Sequence, residues 1–192
     1  MRRILIRLKI LMDYLIFLFK RIFSRREYKL FERKPFDESV GTLYKIEDWQ
    51  WRESNKSSSY KKQLTGKIDM NKASEIHKWV LNNIIYTKDE ILYSQKDYWA
   101  TSNEVLEKGS GDCEDIGIAH WRLFRDAGFP DDSIFIGLLV NHAFAGIQIP
   151  EENDFWILDN GYLSYSIVKA SQLFPQKGKL LCGFNLFDVW SY

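Results

Sequence analysis

This chain has few cysteines and few histidines, and neither positive nor negative charge predominates. Only two of its 192 residues are cysteines, Cys113 and Cys182, and neither lies in a CxxC pair. A domain held together by several disulfides is therefore excluded, and the three scattered histidines exclude a zinc site of the usual Cys/His spacing. The formal net charge is only +1, which argues against a nucleic-acid binder.

The N-terminal segment, residues 1–26, is basic and apolar but lacks a long uninterrupted apolar run. Its longest clean run, Tyr14–Phe19, is far shorter than the roughly 20 residues of a membrane-spanning helix. On a helix, its apolar residues gather on one face and its Arg and Lys residues lie mostly on the other. This pattern favours an amphipathic helix at a membrane surface. The residues predicted to face the membrane include Leu8, Leu11, Leu15 and Phe19.

Two other interpretations of residues 1–26 stay open. The helix packs on the domain, or it is a signal anchor used for export, since basic residues precede apolar ones. We therefore predict a membrane-associated protein. Its domain is periplasmic if the segment is a signal anchor and otherwise lies at the cytoplasmic face.

Residues 27–69 show no periodicity, and they contain Pro35, Gly41 and a polar run before Gly66. We predict a connector with one short element around Tyr44 to Trp51, in which Trp49 and Trp51 pack on the core.

From residue 70 to residue 192 the patterns are those of a folded domain. Helical spacing begins near Asn71, with Asp69 or Asn71 as cap, and Thr101 to Glu104 forms a capping-box pattern. A longer helix is predicted from residue 112 to 127. Strands are predicted at 134–140, 142–149, 155–158, 165–168 and 179–187. Helices followed by consecutive strands predict an α+β fold, with helices packed on an antiparallel sheet.

The sequence Gly111-Asp112-Cys113-Glu114-Asp115 places a cysteine at the start of the longer helix. The positive end of the helix dipole and the free N–H groups there stabilise a thiolate, which is the nucleophilic form. The N–H of Cys113 can contribute to an oxyanion hole, and Gly111 leaves the approach to the thiol open.

A base and an orienting carboxylate follow on the predicted strands. His142 begins one strand, and Asp159 ends the next. Adjacent antiparallel strands bring the start of one beside the end of the other, so Asp159 can hold the imidazole of His142. His77 and His120 lie within helical patterns and are predicted to be surface or packing residues. Cys182 is predicted to be an inert strand residue.

The chain contains three blocks in this order: Asp97 to Gly111-Asp112-Cys113-Glu114-Asp115, Asn141-His142-Ala143-Phe144, and Trp156-Ile157-Leu158-Asp159-Asn160. These blocks resemble the bacterial transglutaminase-like cysteine proteinase family. The resemblance implies a papain-like fold with a transglutaminase core, a covalent acyl-enzyme and cleavage of peptide bonds in a protein or peptide substrate. It also implies that Trp99 supports the transition state near the oxyanion.

Some members of that family depend on calcium, which implies Glu114 and Asp115 as ligands. The chemistry of a Cys–His–Asp triad itself requires no cofactor. Two carboxylates alone make a weak calcium site, so the residues by themselves favour helix capping over calcium binding.

Three functions are compatible with the sequence. The first is a cysteine protease with Cys113 as nucleophile, His142 as base and Asp159 as the orienting carboxylate. The second uses the same residues to pass the acyl group to an amine or another acceptor, as in protein cross-linking. The third is a membrane-associated binding module without catalysis.

Overall fold

In the computed structural model of the chain, the described residues are 34–35, 42–56, 67–149, 154–161, 167–174, 180 and 182–191. The predicted membrane-associating segment, residues 1–26 with Leu8, Leu11, Leu15 and Phe19, lies outside them and stays a prediction. Among the described residues, no helix has the length and apolar character needed to cross a bilayer.

The described residues form an α+β fold, as predicted, within the compact unit Arg33–Tyr192. Six helices and nine strands occur in the described ranges. The helices are α1 (Leu43–Lys56), α2 (Met70–Asn83), α3 (Asp89–Leu92), α4 (Ser102–Lys108), α5 (Cys113–Asp126) and α6 (Ala170–Leu173). The strands are β1 (Lys34–Pro35), β2 (Ile85–Tyr86), β3 (Ser110–Gly111), β4 (Ile134–Leu139), β5 (His142–Gln148), β6 (Phe155–Leu158), β7 (Ile167–Lys169), β8 (Cys182–Phe184) and β9 (Val189–Ser191).

Seven strands form the main sheet in the order β1-β9-β8-β4-β5-β6-β7, and every neighbouring pair is antiparallel. Helix α5 packs against β4 and β5, which are the central hairpin. Asn141 turns that hairpin with a φ of 60°, a left-handed conformation that asparagine tolerates better than most residues. The short pair β2–β3, which the sequence did not predict, is parallel and lies apart from the main sheet.

Local signals placed several element ends correctly. Asp69 caps α2 by accepting the N–H of Asn71 at 2.9 Å. The Glu104 carboxylate accepts the N–H of Thr101 at 2.8 Å at the start of α4. Gly128 follows α5 with a φ of 87°, as expected for a helix end.

Helix α1 is longer than the short element predicted around Tyr44 to Trp51. Trp49 is fully buried, as expected, and its ring meets Trp121 of α5 and Phe184 of β8 edge-on at 5.5 Å each. The expectation for Trp51 is wrong, because 67% of that residue is exposed. Side chains two positions apart on a helix point to nearly opposite sides, so Trp49 and Trp51 cannot both face the core. Helix α1 therefore contributes to the core through one narrow stripe.

The histidines of α2 and α5 form a buried pair. Nδ1 of His77 lies 2.8 Å from Nε2 of His120, and Nδ1 of His120 lies 2.8 Å from the carbonyl oxygen of Ile116. Since a carbonyl only accepts, His120 donates from Nδ1 and accepts at Nε2 from His77. Burial, and then the neighbouring His77, lower the pKa of His120 to about 3. Both rings are therefore packing residues that fix α5 against α2.

We predict that Trp49→Ala lowers the free energy of unfolding by about 3–5 kcal/mol, because it leaves a large cavity between α1, α5 and β8. Trp51→Ala is the matched control, and it should change that free energy by less than about 0.5 kcal/mol. Urea unfolding followed by circular dichroism measures both. Equal losses for the two variants would contradict the placement of α1.

We predict that His120 contributes to acid sensitivity. Its folded pKa of about 3 lies below the unfolded value of about 6.5. The contribution of its buried neutral imidazole to the free energy of unfolding is therefore fully present above pH 6.5. It is lost as the pH falls toward 3, by up to about 1.4 kcal/mol per pH unit. His120→Gln, which does not titrate, should be less stable than wild type at pH 7, with a deficit that shrinks at pH 5. A deficit that stays constant across that range would contradict this assignment.

Candidate active site

Cys113 is the first residue of α5 and is partly buried. The short pair β2–β3 ends directly before it, where the N–H of Thr87 donates to the Gly111 carbonyl at 2.9 Å. This bond fixes the backbone that leads into the helix. The thiol also lies within hydrogen-bonding reach of the Ala143 N–H, next to His142 in the chain. The fold therefore brings the start of α5 to the start of β5.

His142 and Asp159 form a buried pair, as their positions on adjacent strands predicted. Nε2 of His142 lies 2.5 Å from Oδ1 of Asp159, and the residues are 5% and 0% exposed. The other carboxylate oxygen of Asp159 accepts the Gly161 N–H at 3.0 Å. Because both oxygens are held, Asp159 fixes the orientation of the imidazole.

The immediate surroundings of the thiol are acidic. The S–H of Cys113 donates to Oε2 of Glu114 at 3.2 Å. Burial first, then the negative charge of Glu114 and that of Asp112, raise the pKa of Cys113 well above its usual range, although the Ala143 N–H opposes them. Without a cation, these surroundings favour the protonated thiol over the thiolate.

Five carboxylates gather beside the thiol, and we call them the acidic cluster. Their oxygens fall into overlapping sets in which the atoms of each set lie within 4.8 Å of one another. One set also includes the sulfur of Cys113. The members are Asp89, Asp97, Asp112, Glu114 and Asp115.

Three oxygens of the acidic cluster are buried without a hydrogen-bond donor among the described residues. They are Oδ1 of Asp89, Oδ1 of Asp112 and Oδ2 of Asp115. Burial raises the pKa of Asp115 to about 8, although the Ala100 N–H donates to it at 2.8 Å. Burial also raises the pKa of Asp89, Asp112 and Glu114. Several buried oxygen donors without partners are the donor set that a hard divalent cation such as calcium uses.

Sequence reasoning placed Asp112, Glu114 and Asp115 beside the thiol, the last two as possible ligands, but missed the other two members of the acidic cluster. Asp89 begins α3, and Asp97 lies in the loop before Trp99. No spacing signal connects these residues to Cys113. Since five carboxylates contribute to these overlapping sets, the argument from two carboxylates alone no longer applies.

Position 111 requires glycine for a structural reason, in addition to the open approach to the thiol that the sequence predicts. A Cβ at this position would lie 2.4 Å from the Cβ of Asp115. Only glycine therefore lets the Asp115 side chain fold back under the strand that precedes the nucleophile.

Trp99 is 6% exposed and belongs to the same core cluster against which Cys113 packs. Its ring stacks on Phe184 with a centroid distance of 5.3 Å and an interplanar angle of 20°. Cys182 is a buried residue of β8, as predicted, and both cysteines are free thiols.

Comparisons with known proteins identify the fold and the family. The calcium-bound LapG of Legionella pneumophila is similar in structure, with a TM-score of 0.53 at 23% identity, over 74% of this chain and 87% of that one. A second LapG structure gives a TM-score of 0.53 at 24% identity, over 76% and 87% of the two chains. At these identities the likeness shows the fold, a transglutaminase core.

No curated protein matches the chain. Residues 48–167 match the family of bacterial transglutaminase-like cysteine proteinases, BTLCP, and this range covers more than half of the 192 residues. The chain therefore belongs to the bacterial transglutaminase-like cysteine proteinase family.

Proposed function

We propose that this protein is a cysteine peptidase that cleaves peptide bonds in a protein substrate. The observation that carries the proposal is the buried pair of His142 and Asp159, 2.5 Å apart, together with Cys113 at the start of a helix that packs against the strand of His142. Family membership supports the same reaction class.

In the proposed reaction, the sulfur of Cys113 attacks the peptide carbonyl, and its proton goes to His142. The resulting oxyanion is stabilised by the Cys113 N–H, the N-terminus of α5 and Trp99. The C–N bond then breaks, and His142 gives the proton to the leaving amine. A water molecule, activated by His142, hydrolyses the thioester and releases the acid. Asp159 stabilises the imidazolium in both halves.

With calcium present, we expect Cys113 to react with iodoacetamide faster than free cysteine at pH 6, because an unperturbed thiol is almost wholly protonated there, whereas Cys113 can give its proton to His142. His142→Ala and Asp159→Asn should remove this advantage. Intact-mass spectrometry after brief treatment measures the rate, with calcium and with a chelator. A rate no faster than that of free cysteine under both conditions would count against catalysis.

The chain offers a matched control for Asp159→Asn. Asp131 is also 0% exposed and is paired with the Nε of Arg125 at 2.8 Å, but at the other end of α5. Asp131→Asn should lower stability while leaving the alkylation rate of Cys113 unchanged. If both variants slowed alkylation equally, the effect would come from general destabilisation.

Hydrolysis and acyl transfer differ in the acceptor of the acyl group, which is water in hydrolysis and an amine or another acceptor in acyl transfer. The protein is incubated with a proteome-derived peptide library, with and without an added fluorescent primary amine. We expect new peptide termini that are absent with Cys113→Ala. Incorporation of the amine into peptides instead of new termini would favour acyl transfer.

We also propose that the acidic cluster binds calcium. Its buried oxygens without partners fit a cation with oxygen ligands, and one of the similar LapG structures is calcium-bound. Asp89, Asp112, Glu114 and Asp115 would hold the ion, with Asp97 at the exposed side. When bound, calcium would neutralise the carboxylates that raise the pKa of the thiol.

We predict that calcium stabilises the folded protein, by about 2.7 kcal/mol at 100 times its dissociation constant. Asp89→Asn should weaken calcium binding by about tenfold or more, because it removes one of the charges that hold the ion. Calorimetric titration and the thermal melting shift measure this without any substrate.

Asp69→Asn is the control for Asp89→Asn. Both residues lie at a helix start and accept a backbone N–H: Asp89 from Tyr98 at 2.5 Å, and Asp69 from Asn71 at 2.9 Å. Asp69 lies outside the acidic cluster. It should bind calcium as wild type does. Absence of any calcium-dependent shift in the wild type would reject the calcium proposal and leave the peptidase proposal intact.

A further inference from the structure

We propose that Arg52 of α1 is a positioning residue that holds Trp99 for oxyanion stabilisation. This inference rests on the proposed function. It adds to the active site a residue of α1, which lies in the segment that the sequence analysis predicted to be a connector.

Arg52 holds the backbone of Trp99 directly. Its Nη2 donates to the Trp99 carbonyl oxygen at 2.6 Å. Its Nε donates to Asp48 one turn earlier at 2.8 Å, which orients the planar guanidinium. The guanidinium also lies over the ring of Tyr98, 5.0 Å from its centre. Three separate contacts therefore fix one side chain, and a lysine could not reproduce all of them.

A second residue of α1 anchors the next part of the same segment. Glu53 is 2% exposed, and its carboxylate accepts the Ser102 N–H at 2.8 Å and the Ser102 hydroxyl at 2.5 Å. Helix α1 is thus fixed to both ends of the segment Trp99–Ser102.

The helix of the nucleophile holds the same segment between these two anchors. Asp115, in the first turn of α5, accepts the Ala100 N–H at 2.8 Å. The ring of Trp99 is fixed by its stacking on Phe184. The backbone of Trp99 and Ala100 is therefore held between Arg52 and the helix that carries Cys113.

This arrangement predicts which chemical step depends on Arg52. Stabilisation of an oxyanion needs groups placed in advance, and a shift of about 1 Å costs about 100-fold. Attack of the thiolate on a carbonyl forms an oxyanion, whereas alkylation by iodoacetamide displaces iodide and forms none. Loss of Arg52 should therefore slow acylation and leave alkylation unchanged.

The test uses the full chain with calcium and two probes. With p-nitrophenyl acetate, the sulfur of Cys113 takes the acetyl group and expels p-nitrophenolate, which is followed by absorbance after subtracting Cys113→Ala. Arg52→Met should slow this acylation by about tenfold or more. Alkylation of Cys113 by iodoacetamide should change by less than twofold. Arg52→Lys should lie between wild type and Arg52→Met.

Arg122→Met is the matched control. Arg122 pairs with Asp126 at 2.7 Å in the same i,i+4 manner, and its side chain is 23% exposed against 18% for Arg52. It reaches the side chains of Ser102 and Asn103 but not the Trp99 carbonyl. Its acylation rate should stay within twofold of wild type, and melting curves show whether each variant is folded.

A double-mutant cycle separates positioning from general stability. If Arg52 acts through Trp99, Arg52→Met should have little further effect on acylation in a Trp99→Phe background. Full additivity of the two substitutions, or equal slowing of acylation and alkylation, would overturn the inference. Absence of Cys113-dependent acylation in wild type would instead reject the proposed function.

Discussion

The concentration of carboxylates around one thiol is the constraint on which this site depends. A buried carboxylate is costly unless hydrogen bonds or a cation compensate its charge, and three oxygens here have no donor among the described residues. Burial, and then the negative charges of Glu114 and Asp112, raise the pKa of Cys113. Nucleophile and acidic cluster therefore act as one electrostatic unit, and any cation that binds the cluster also acts on the thiol.

Helix α5 connects this unit to the rest of the fold. Its first turn carries Cys113 and Asp115, its middle carries His120 against α2, and Trp121 meets Trp49 of α1. Near its end, Arg125 pairs with Asp131. Because these contacts hold the helix along its length and it also packs against β4 and β5, the start of α5 has a defined position in the fold.

The sequence predicted an element correctly where its pattern is clear within a few neighbouring residues, and failed where the pattern is too short or too narrow. Strand β6 and the caps at Asp69 and Thr101 were placed correctly, because a short apolar run and capping residues act within a few residues. Helix α1 was underestimated because its buried stripe is narrow, with Ile46, Trp49 and Glu53 inside and polar residues around them. The pair β2–β3 has two residues in each strand, which is too short for any period to appear.

The sequence by itself determined that Cys113 starts a helix, that acidic residues surround it, and that His142 and Asp159 stand at the ends of consecutive strands. Only the tertiary structure decided that Asp89 and Asp97 join these carboxylates, that His142 and Asp159 lie 2.5 Å apart, and that Arg52 reaches Trp99. The physical reason is distance along the chain. Local patterns fix the backbone of one element, whereas contacts between distant residues depend on how whole elements pack and align.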